Sequence, residues 1–228
     1  MVAGRRNPDA FNFFYTLLNM PKSLDPKCKK CRREGVKLFL KGEKCSTAKC
    51  PIIRRNYPPG AHGTKRKGRL TEYGTQLREK QKAKRIYGIF ERQFRNYYEK
   101  AVNQTGDSQE NLRRLLEMRF DNVVYRMGFA KSRTQARQMV GHGMFFVNNK
   151  KVNIPSYQMK PKDQISINEH KIKSKNFVDL EKSLETKDTI SWIHVDPKNL
   201  SAKILNAPKG DELQQTFNPR LIIEFYSK

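Results

Sequence analysis

All four cysteines of this 228-residue chain fall in one short stretch, as Cys28-x-x-Cys31, thirteen intervening residues, then Cys45-x4-Cys50. Two tight pairs of thiolates are what a tetrahedral zinc ion needs, because each pair supplies two soft donors from one knuckle of backbone. The surrounding Lys27, Lys29, Lys30, Arg32 and Arg33 would offset the two negative charges of a zinc tetrathiolate. A site filled by Cys28, Cys31, Cys45 and Cys50 leaves no open position for water or substrate, so it would fold the segment rather than catalyse. Four reduced thiols and an iron–sulfur cluster are the alternatives. A redox dithiol is disfavoured, since no strand-like run precedes Cys28.

The charge balance points to the partner. Lysine and arginine outnumber aspartate and glutamate by 47 to 22, a formal net charge of +25, and self-repulsion of that size calls for a polyanion. The excess is confined to residues 1–175, with 40 basic against 14 acidic side chains; residues 176–228 hold 7 against 8. The last quarter is therefore not a nucleic-acid surface by charge. A membrane partner is disfavoured, because the chain has neither a run of about 18 apolar residues nor a lipidation signal.

The elements that must position these groups follow from periodicity. Residues 1–22 read as an N-terminal extension: Arg5 and Arg6 precede the apolar Phe11 to Leu18, but Asn12 interrupts that run and no small-residue cleavage site follows, leaving an organellar presequence as the alternative. Residues 23–108 form a first unit: the cysteine segment, the turn cluster Pro58-Pro59-Gly60-Ala61-His62-Gly63, and two basic helices over Leu70 to Ala101 broken near Gly88. A polar linker with Gly106 places a boundary near 108. In residues 109–175, Leu112, Leu115, Leu116, Phe120, Val123 and Met127 trace one buried helical face ending at Gly128. Ser132 to Gln135 has the form of a capping box for a second helix. Met144 to Val147 and Val152 to Ile154 read as a hairpin turning at Asn148-Asn149, with a further strand at Gln164 to Ile167 and a basic linker at Lys171 to Lys175. In residues 176–228, Ile190 to Val195 and Leu221 to Tyr226 are strand-like.

On the second unit, Arg119 and Arg126 are seven apart on the expected first helix, and Arg133 and Arg137 four apart on the second. Each pair would share a face presenting guanidinium groups to phosphates. Lys131, Ser132, Gln135, Gln138 and His142 lie nearby. The first unit adds Arg32, Arg33, Arg54, Arg55, Tyr57, His62, Lys65, Arg66, Lys67 and Arg69, and its basic helix adds Lys80, Lys82, Lys84 and Arg85. All are candidate RNA contacts.

The stretch Leu116-Glu-Met-Arg-Phe-Asp-Asn-Val-Val-Tyr-Arg-Met-Gly-Phe-Ala130 with Ser132-Arg-x-Gln-Ala-Arg-Gln138 resembles the RNA-binding module of the family of ribosomal small-subunit protein four. The likeness extends to Cys28 to Gly35, Leu38 to Gly42, Tyr57 to Gly63, Leu77 to Lys82, Arg92 to Tyr98, Val152 to Tyr157 and Leu221 to Tyr226. It implies an α+β protein with a helical first domain built from both chain ends and carrying an N-terminal zinc knuckle. A helix-turn-helix-strand RNA-binding module would be inserted into that domain, and residues 176–228 would complete it. The resemblance further implies direct binding to a junction in the 5′ domain of small-subunit rRNA, early in assembly. It sets Lys65, Arg66, Lys67 and Arg69 near the path of messenger RNA, beside small-subunit proteins three and five, in a bacterial-type cytoplasmic ribosome or, alternatively, an organellar one.

Two rivals stand beside it. The same module occurs in RNA-modifying enzymes, but no phosphate-cradling glycine loop is present, and His62, His142, His170 and His194 lack a paired carboxylate or nucleophile at motif spacing. A small-molecule substrate is therefore not expected. A zinc-dependent RNA-binding regulator acting off the ribosome is the other.

Overall fold

The computed structural model describes residues 23, 25–65, 68–172, 177, 180, 184, 190–213 and 216–228. The extension 1–22, Arg66, Lys67 and the end of the basic linker lie outside the described residues.

The first unit is helical. Helix α1 (Lys27–Glu34) carries the first cysteine pair and stops at Gly35, a 3-10 turn spans Gly42–Cys45, and α2 (Pro51–Arg54) follows Cys50. Helix α3 (Glu72–Tyr87) begins where the Thr71 hydroxyl accepts from the Gly74 amide at 3.1 Å. It ends at Gly88, whose φ of 64° is the left-handed angle that a side chain resists. The break expected near Gly88 is thus present, and α4 (Glu91–Asn103) and α5 (Ser108–Glu117) follow. Their apolar faces close one core containing Leu38, Ile86, Tyr87, Phe94, Tyr97, Leu112 and Leu116.

The second unit has α6 (Phe120–Arg126) and α7 (Arg133–Gly141) over a small antiparallel sheet. Strands β1 (Phe145–Val147) and β2 (Lys150–Lys151) pair across Asn148 and Asn149, which hold φ of 48° and 63° as a tight hairpin requires. Strand β3 (Gln164–Ile167) pairs with β1, and α8 (Glu169–Ile172) follows it. The sheet continues through β4 (Ile193–Asp196) and β5 (Ser201–Ile204) in the order β2-β1-β3-β5-β4. Its core joins Phe120, Val123, Phe145 and Ile165 to Phe177, Trp192 and Ile204.

Four sequence expectations change. The face from Leu112 to Met127 is two helices, because the Phe120 and Asp121 amides bond the carbonyls of Tyr157 and Pro155 at 2.9 and 3.1 Å instead of continuing the α5 ladder. Leu112 and Leu116 then belong to the first core, so the boundary falls near 117 rather than 108. The segment 176–228 does not return as a whole: residues 190–204 extend the module's sheet, whereas Phe217 and α9 (Pro219–Ser227) pack on the first unit, α9 against α3 and α5. Finally, Leu221 to Tyr226 is helical rather than extended. Asn218 caps it by accepting from the Arg220 amide, Pro219 opens it, and a short unbroken apolar run could not distinguish the two periods.

The packing of α9 explains Lys80, which was expected to meet RNA. Lys80 is 6% exposed, donates to Glu91 at 2.8 Å and lies over the Phe225 ring at 4.2 Å. Its neighbours are also occupied: Lys82 pairs with Glu79, Lys84 with Glu91 and Arg85 with Glu34. Burial works to raise the Glu91 pKa, but hydrogen bonds from Lys80, Lys84 and Tyr226 outweigh it and hold the carboxyl at about 2. A carboxyl held below its ordinary 4.5 contributes stability above that pH, and the contribution disappears as pH falls through about 2. Glu91→Gln should lower the stability of the chain by roughly 1 kcal/mol at neutral pH, discounted for solvent screening. In urea titrations the difference from wild type should shrink between pH 4.5 and 2; a pH-independent difference would contradict the pairing.

Candidate nucleic-acid interface

The four arginines expected on open faces of the module are instead built around two buried carboxylates where the two units meet. Arg119, 1% exposed, donates from Nε and Nη2 to both oxygens of Asp121 at 3.1 and 2.9 Å, and from Nη1 to the Tyr97 hydroxyl of α4 at 2.7 Å. Arg137 donates to Asp121 at 3.0 Å and to the carbonyl of Gly88 at 2.6 Å, reaching the C-terminus of α3. Glu117 receives Arg126 at 2.8 and 2.9 Å, the Tyr87 hydroxyl at 2.6 Å and the Asn122 amide at 2.8 Å. Arg133 donates to Asn122 at 2.7 Å with its guanidinium over Tyr125 at 4.6 Å and Tyr87 at 5.2 Å. Burial would raise the Glu117 pKa, but the Arg126 hydrogen bonds and the charges of Arg126 and Arg133 lower it.

The reading of Arg119 and Arg126 as a solvent-facing helical pair is therefore corrected. The break before Phe120 turns Arg119 inward, where it holds the joint rather than a phosphate. Arg133 and Arg137 are half-buried and retain part of their surface, but replacing both would also loosen the joint. Sequence reasoning missed Glu117, Asp121, Asn122, Tyr87 and Tyr97. The signal that could have found the two acids is their place beside Arg119, in a chain otherwise short of acids.

Other candidates do lie on the surface. Arg33, Arg54, Arg55, Tyr57, His62, Lys65 and Arg69 are exposed, and Gln138 is exposed on α7. Arg32 lies over the Tyr57 ring at 4.7 Å and donates to the Tyr57 carbonyl at 2.9 Å, fixing the turn that displays this group. The Ser132 hydroxyl accepts from the Gln135 amide at 3.3 Å, as expected, but Gln135 reaches back to the Lys131 amide at 2.9 Å rather than to Ser132. Exposed Lys131 pairs with Glu43 at 2.7 Å. Next to that pair Gly42 is required, because a side-chain carbon there would sit 2.4 Å from the Lys131 carbonyl oxygen. His142 is half-buried at the end of α7.

Cys28, Cys31, Cys45 and Cys50 line one cavity of about 10 Å³, all as free thiols. Burial pushes the Cys31 thiol up, and the charges of Cys45, Cys28 and Cys50 push the same way. The donor chemistry suits a zinc ion and the four residues share one small space. Among the described residues, however, no group of three or more His, Cys, Asp or Glu side chains is arranged to hold a metal.

If Arg119 is part of the joint, Arg119→Ala should cost roughly 3–5 kcal/mol, because it strips the buried Asp121 of its bidentate partner. In scanning calorimetry that is a fall in Tm of about 10 °C. Gln138→Ala should stay within roughly 0.5 kcal/mol of wild type. Equal melting of the two variants would return Arg119 to the surface reading.

Comparison with known proteins agrees with this division of the chain. Residues 22–117 match the Ribosomal protein S4/S9 N-terminal domain, and residues 118–165 match the S4 domain, the change falling at the break between α5 and α6. The small ribosomal subunit protein uS4 of Nitrosospira multiformis is 53% identical over 212 residues, and that of Thermotoga petrophila 51% over 213. The uS4 protein of Caldicellulosiruptor bescii is 49% identical over 209 residues; each match spans 92% of this chain and 100% of the relative. The chain belongs to the family of small ribosomal subunit protein uS4.

Proposed function

We propose that this chain is a non-enzymatic structural constituent of the small ribosomal subunit that binds small-subunit rRNA directly. The observation that carries the reading is the match across the whole length of the uS4 relatives. Exposed arginines and lysines on a rigidly joined two-unit scaffold supply the matching chemistry, because phosphate contacts position RNA and shape distinguishes it. Within this reading the chain binds a junction of the 5′ domain early in assembly. The turn at Lys65 and Arg69, with Arg66 and Lys67 beside it in sequence, faces messenger RNA near its entrance and contributes to decoding accuracy, with small-subunit proteins three and five as neighbours. The ribosome is the bacterial cytoplasmic type, with an organellar ribosome as the alternative. Among the described residues no helix is long and apolar enough to cross a membrane.

Zinc is part of the same proposal. Cys28, Cys31, Cys45 and Cys50 would hold one structural ion, which would supply the cross-link between α1 and the start of α2. Their sharing of one cavity supports it.

Filter binding of the full-length chain to 5′-domain RNA should lose roughly a thousandfold in affinity between about 50 and 200 mM salt, as counterion release from several phosphates demands. Salt-insensitive binding would reject the exposed-cation interface. Freshly purified chain should carry stoichiometric zinc by atomic emission, and a chelator should lower its Tm; metal-free chain with an unaltered Tm would remove the ion from the account.

A further inference from the structure

Beside the joint lies an open cleft of about 240 Å³, lined by Lys37, Phe39, Tyr125, Arg126, Arg133 and Thr216 among others. It takes residues from both units and from the chain end, and three features distinguish it from a packing defect. Phe39 is 47% exposed, whereas Leu38 and Leu40 on either side are 2% and 8% exposed, so an aromatic ring is held at the surface by two anchored neighbours. Phe39 also has a φ of 50°, a left-handed angle that a residue other than glycine adopts only when its surroundings impose it. The cations Lys37, Arg126 and Arg133 exceed the one carboxylate behind them, Glu117, and among the described residues no carboxylate lines the cleft.

A cleft with two rings, surplus positive charge and a volume below the roughly 300–1,000 Å³ of drug-sized pockets suits one flat, aromatic, anion-bearing group. We infer that it takes a single unstacked nucleobase of the bound RNA, the base lying against Phe39 and Tyr125 and its phosphate meeting Lys37 and Arg133. Splayed-out bases stacked on aromatic rings and arginine planes are how proteins read single-stranded RNA. The inference rests on the rRNA-binding reading and adds to it a point of base contact, where the rest of the interface contacts backbone.

The test uses full-length chain and 5′-domain RNA. Phe39→Ala should weaken binding roughly tenfold with the salt slope unchanged, since stacking releases no counterion. Lys37→Ala should weaken it and reduce the slope by about one. Phe39→Leu keeps apolar bulk without a ring and should lose as much as alanine, whereas Phe39→Tyr should bind like wild type. Wild-type affinity in both Phe39→Ala and Phe39→Leu, with steep salt dependence retained, overturns the base site and leaves the rRNA reading standing. Loss of retention in small subunits without loss of RNA affinity assigns the cleft to a protein neighbour and also overturns it. A wild-type chain that does not bind the RNA removes both readings together.

Discussion

Two buried carboxylates, Glu117 and Asp121, hold the two halves of this molecule in register. Between them they receive Arg119, Arg126 and Arg137, with Arg133 attached through Asn122, and the network reaches Tyr87, Gly88 and Tyr97 of the first unit. Breaking such a buried pair costs more than making it gains, because the surviving charge is left without water or partner. The network therefore specifies one relative placement of the units more than it adds to stability. A protein with a net charge of +25 has ample reason to spread apart, and this joint opposes that tendency at its centre.

The joint also sorts the cations. Lys80 under the Phe225 ring and Arg119 against Asp121 are structural, whereas Arg33, Arg54, Arg55, Lys65 and Arg69 face solvent. A polyanion would meet an array whose spacing is fixed before it arrives, so little ordering has to be offset on binding. The cysteine loop is tied into the same frame through Gly42 under the Lys131 carbonyl and Glu43 on the Lys131 ammonium. Whatever holds that loop also holds the start of α7.

Local signals in the sequence were read reliably where one element decides its own form: Ser132 as a cap, Asn148-Asn149 as a hairpin turn, Gly88 as a helix stop. The family was legible from motifs spread over the chain. What could not be read was anything set by distant partners. Arg119 looked like half of a helical face until Tyr157 and Pro155 took the amides that end α5 and start α6. Leu221 to Tyr226 fits a strand until Asn218 caps it as a helix on α3 and α5. The family resemblance assigns residues 190–204 to the first domain, yet their alternation fits the free edge of β3 in the module's sheet. Beyond their nearness to Arg119 in sequence, Glu117 and Asp121 carry no marker of being buried counter-ions, and they proved to be the residues on which the arginines depend.

On the proposed function, both units, locked together by this joint, face one RNA. Ultraviolet cross-linking of the chain within purified small subunits, followed by sequencing of the linked peptides, tests it most directly. rRNA adducts are expected on peptides from the first unit around Arg54 to Lys65 and on the module around Lys131 to Gln138. Adducts confined to one unit, or a chain that carries none, would contradict it.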